Sequence, residues 1–242
     1  MNTDVWQQYA ANNKRWIKNW VNVENPLPKE LPLDWINLVN NPTPTNLKEI
    51  WKKTNDELPR FLDYLCYAIL DAKIAMSRAG YILVYHLKEW EDLGTDGVID
   101  GFMITGLPTK EKTIVHFENN LGKLPLPLRN LWLTHGFISF RDDSFLTSII
   151  EEQQVMVSAP YPYFNRENRW KKGHSIDCLA ISNINSEIMS GISKEMNTKE
   201  WKDELVDVMK YGKGCSESLH VRLDDLLTDT SSLTWLNPGW RR

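Results

Sequence analysis

Cysteine is scarce in this chain: three residues, Cys66, Cys178 and Cys215, in 242. That is too few for a disulfide framework, and their spacing forms no paired metal-binding motif. An odd number of thiols in a chain of this size points to a reducing compartment. A long hydrophobic run is also missing. The best candidate, FLDYLCYAILDAKIAM, is broken by Asp63, Asp71 and Lys73, short of the roughly 20 apolar residues a membrane helix needs. The opening MNTDVWQQYAANNKRW has no apolar signal core and no small-residue cleavage site. The expectation is a soluble, cytoplasmic protein without a membrane partner.

Basic charge is not in excess either. Lysine and arginine number 28 against 32 aspartates and glutamates, for a net charge of −4, and neither half of the chain is basic. This argues against direct nucleic-acid binding of the usual electrostatic kind. The common catalytic signatures are absent: no GxSxG, no Walker loop, no HExxH, no dinucleotide glycine fingerprint and no paired CxxC clusters. No catalytic residue, cofactor or metal is therefore assigned from the sequence.

What the chain does have is tryptophan. There are eleven, five of them within the first 51 residues. A large apolar ring with one polar handle favours packed seams and interfaces. The rest of the composition, 42% apolar and 25% charged, is that of an ordinary globular chain.

Hydrophobic spacing predicts a short helix pair over residues 1–23, then a mostly extended stretch with five prolines between Pro26 and Pro44. Within it, Asp34 is a candidate cap for a helical turn carrying Trp35, Ile36 and Leu38. Thr45 or Asn46 is the expected cap of the helix LKEIWKKTNDEL. Pro59 opens a further helix whose stripe (Phe61, Leu62, Leu65, Cys66, Ile69, Leu70, Ile74, Ala75) runs to Gly80. YILVYHL and GVIDGFMI read as strands.

A helix capped by Thr109 spans Lys110 to about Leu121, closed by Gly122, and a second runs from Pro127 to about Thr134. FISF is then a strand. SFLTSIIEEQQVMVS reads as helical or mixed, DCLAISN and the stretch around Ile188 to Ile192 as strands, and TKEWKDELVDVM as a helix. The fold class is α+β: a mixed, mainly antiparallel sheet with helices packed mostly on one side, plus a helical N-terminal extension. The expected division is a Trp-rich extension over 1–80 and an α+β domain over 81–242.

Two sets of residues carry candidate chemistry. His174, Asp177 and Cys178 bring a histidine, an acid and a thiol close in sequence, but Asp177 and Cys178 adjoin in an expected strand and would point to opposite faces. His135 ends a helix, where a cation is favoured by the macrodipole. For partner contacts the candidates are the carboxylates Asp142, Asp143, Glu151 and Glu152 and the aromatics Tyr161, Tyr163, Phe164 and Trp170. The aromatics are interleaved with Arg166, Arg169, Lys171 and Lys172, a mixture suited to a protein interface.

The segment from Thr109 to Phe140 resembles the SUKH superfamily, which includes bacterial toxin-immunity proteins and fungal cell-wall assembly regulators. The resemblance rests on FENNLGKLP, then PLRNLWLTHGF, then a strand, with Glu118, Gly122, Leu124, Pro125, Leu128 and Gly136 at the matching places. DCLAISN and HVRLDDLL have counterparts further on, so the likeness covers about residues 105–236. It implies a non-catalytic binding module: an immunity protein that binds and neutralises a cognate polymorphic toxin, with nucleases among the toxins considered. The alternatives are a small-molecule enzyme and a regulatory scaffold of another kind.

Overall fold

The computed structural model describes residues 3–13, 17–23, 27–78, 80–88, 101–140, 143–146, 156–159, 163–164, 170–171, 176–185, 188–195, 200–201, 204–209 and 216–218. The first part of the chain runs α1 (Thr3–Asn12), β1 (Asn19–Trp20), α2 (Leu33–Asn40), α3 (Pro44–Trp51), α4 (Pro59–Ala68), β2 (Ile69–Ser77) and β3 (Gly80–Leu87). Then come β4 (Gly101–Gly106), α5 (Glu111–Leu121), α6 (Leu126–Thr134), β5 (Ile138–Phe140) and β6 (Asp143–Leu146). The remaining strands are β7 (Met156–Ala159), β8 (Tyr163–Phe164), β9 (Trp170–Lys171), β10 (Ile176–Asn185), β11 (Ile188–Glu195), β12 (Glu204–Met209) and β13 (Ser216–Ser218). The fold is α+β.

The large sheet has the order β1-β2-β3-β4-β5-β6-β10-β11-β12-β13, with β7 also paired to β10, while β8 and β9 form a separate hairpin. Every ladder among the described residues is antiparallel. Lys123 and Glu200 add one isolated parallel bridge.

Alternation along β2, β3 and β4 sorts their side chains onto two faces. Ala72 and Ile74 of β2, Leu83, Tyr85 and Leu87 of β3, and Met103 of β4 join Trp35, Leu38, Leu47, Trp51, Phe61, Leu65, Phe117, Leu128 and Trp132 in the main core. Helices α2 to α6 therefore cover one face. Ala75, Ile82, Val84 and Ile104 look the other way and pack with Trp6 of α1 and Ile17. Helices lie mostly, but not wholly, on one side.

Four segments differ from the sequence expectation. The helix expected to reach Gly80 ends at Ala68, and Ile69–Ser77 is strand β2, paired with β3 from Ile69↔Leu87 to Ser77↔Gly80. Ile69, Leu70 and Ile74 fit a helical stripe and a strand alternation equally, and pairing with β3 decides between them. The expected division at residue 80 falls in this hairpin, where Gly80 has a φ of +105°. The supposed helix TKEWKDELVDVM carries β12, whose Ile188↔Met209 to Ile192↔Leu205 register with β11 overrides the helical spacing. Of the helix pair expected over residues 1–23, only the first forms: Asn19–Trp20 is strand β1, paired with β2 at Asn19↔Met76 and Trp20↔Ala75, while the described ends of SFLTSIIEEQQVMVS, read as helical or mixed, belong to β6 and β7.

Caps also move. Thr43, not Thr45 or Asn46, caps α3: its Oγ1 accepts from the Asn46 backbone N–H at 3.4 Å. The Asn46 side-chain amide instead donates to the Asn41 and Asn37 carbonyls at 2.8 and 3.3 Å, tying α2 to α3. Asp34 sits in the first turn of α2, whose cap position is Pro32. Thr109 does not cap α5, which starts after Lys110; its N–H donates to the Trp132 carbonyl at 2.8 Å. Pro59 opens α4 as expected, whereas α6 starts one residue before Pro127, at Leu126, with Pro125 at its cap position.

Candidate functional site

The residues of the family resemblance run from the end of α5 through the turn and α6 to the glycine that follows it, and most have a physical task there. Gly122 ends α5 with a φ of +110°, a conformation side chains with a Cβ rarely adopt. Glu118 reaches past the helix end: its Oε1 accepts from the Leu124 N–H at 3.3 Å and lies 3.5 Å from Arg129 Nε. Arg129 also pairs with Glu111, so one guanidinium links both ends of α5 to α6. Leu128, Leu131 and Trp132 of α6 are buried as the spacing predicts. Gly136 follows, and a Cβ there would stand 2.5 Å from the Leu107 carbonyl oxygen. Only glycine fits that approach.

His135, between α6 and Gly136, has no exposed surface. It lies against Trp51 and Trp35, with ring centroids 4.7 and 6.0 Å away. Burial lowers its pKa from 6.5 to about 3, with the Gly106 carbonyl pulling weakly the other way. The imidazole is therefore neutral near pH 7, which corrects the expected cation at a helix C-terminus. Its Nε2 is 3.1 Å from the Tyr85 hydroxyl. With that hydroxyl donating, the single ring proton belongs on Nδ1.

Burial pushes the Tyr85 phenol well above its ordinary value, opposed in part by the Trp51 indole and the Thr105 hydroxyl. The phenol therefore stays protonated and able to donate. Nε1 of Trp35 has no hydrogen-bond partner among the described residues. A substrate could touch His135 only by displacing the rings that enclose it.

The eight expected partner residues are only partly placed. Asp142, Glu151, Glu152 and Tyr161 lie outside the described residues. Asp143 opens β6, opposite Phe140 of β5. Tyr163, Phe164 and Trp170 come together in the small hairpin, with Phe164 opposite Trp170 and Tyr163 opposite Lys171. This hairpin approaches β12. Of the enzyme candidates, His174 lies outside the described residues, while Asp177 and Cys178 stand near the start of β10, opposite Lys194 and Ser193 of β11. Among the described residues, no group of three or more His, Cys, Asp or Glu side chains is placed to hold a metal ion.

Sequence reasoning missed two clusters. One is the buried His135–Tyr85–Trp51 group. The other is a ring cluster around Trp6, on the far face of the sheet. The tryptophan surplus was the available signal for both, but a count does not say which rings meet. Comparison of the chain with models of known families, with curated proteins and with solved structures finds no match.

Proposed function

We propose that this chain is an immunity protein, acting in the cytoplasm, that binds and neutralises a cognate polymorphic toxin. The observation that supports this reading is the frame around α5 and α6. The residues of the SUKH resemblance form a helix, a glycine break, a Leu-Pro step, a second helix and a glycine turn into a strand. Glu118 and Arg129 pin the two helices together. These roles are structural, as befits a scaffold that presents a surface rather than a reaction centre.

The partner surface in this reading comprises Asp142, Asp143, Glu151 and Glu152 for a basic cleft, such as that of a nuclease, and Tyr161, Tyr163, Phe164 and Trp170 as anchors. The test is co-expression with a polymorphic toxin found encoded beside this chain, followed by association kinetics. Reversing Asp142 and Asp143 to lysine slows association in a salt-dependent way, and Tyr163→Ala speeds dissociation about tenfold. Alanine at His174, Asp177 or Cys178 leaves neutralisation intact. Failure of the intact chain to protect cells from that toxin, or to bind it, ends the reading.

A further inference from the structure

We draw no further inference here: the strongest candidate, the surface patch at the junction of α4 and β2 where Tyr67 and Leu70 stand exposed and Lys88 lies over the Tyr67 ring, carries none, because nothing in the structure shows what covers it.

Discussion

His135 sets how this protein should respond to acid. Its pKa is about 3 in the folded chain and 6.5 when unfolded, so between those values the unfolded chain binds a proton that the folded one refuses. Stability is full above pH 6.5 and falls as the pH drops through the window, by about 1.4 kcal/mol per unit from this group. Urea unfolding at pH 7 and pH 5 measures it. His135→Gln should flatten its share of the slope while losing some stability at pH 7, because the amide fills the ring's space imperfectly. A slope unchanged by this substitution would mean that other groups carry the acid response.

Gly136 makes a second residue-level case. Its added Cβ meets backbone, the Leu107 carbonyl oxygen, and not a side chain that can swing away. Gly136→Ala should therefore cost about 2 kcal/mol or more, read as a shift in the unfolding midpoint. The same amide donates to that carbonyl at 2.9 Å, so relief by moving the two segments apart also strains a hydrogen bond.

Among the elements, α5 and α6 depend on Glu118. Its carboxylate satisfies the Leu124 N–H beyond the helix end and faces Arg129. Glu118→Ala should cost about 1–2 kcal/mol, and Glu118→Gln less, because the amide oxygen can still accept from Leu124. Equal losses in thermal unfolding would shift the weight to the ion pair. The cap of α3 is a smaller matter, with Thr43→Ala expected to cost about 1 kcal/mol.

These two helices were also the most legible part of the sequence, since proline, glycine and leucine spacing state their starts, stops and buried stripes locally. Strand β2 was not legible. Its residues satisfy both periods, and the partner that resolves them, β3, pulls the chain into extended form right after Ala68. Strand β12 hid behind the same ambiguity, since Leu205 and Val208 fit one helix face while ELVDVM also alternates. His135 was misread because a helix end seen in sequence suggests water. Here that end is roofed by Trp35 and Trp51, from a segment some 80 residues or more upstream. Of the expected partner residues, Asp143, Tyr163, Phe164 and Trp170 come into view, and among these Phe164 and Trp170 face each other.

For the molecule as a whole, the Trp-rich segment is part of the fold and not an appendage. Trp35, Leu38, Leu47 and Trp51 share one buried cluster with Phe117, Trp132 and Ile138. Limited proteolysis within Pro26 to Pro44 should therefore leave no stable fragment beginning after the cut. If a folded C-terminal fragment survived and the N-terminal piece fell away, the shared core would not be holding them together. Among the described residues, no helix is long and apolar enough to cross a membrane.

The sheet order has a consequence in time. From β1 to β6, neighbours in space are neighbours in the chain, so each strand leaving a ribosome finds its partner already made. Among the described residues, the late contacts of this half are the Lys123–Glu200 bridge and Trp201 in the main core, so most of its pairing closes without a segment made much later. The tract from β1 through β4 can thus assemble while the later strands are still being synthesised. Nascent chains stalled at successive lengths should become protease-resistant in steps, the first once β4 has cleared the exit tunnel and the next once β5 has sealed the pair of helices it follows.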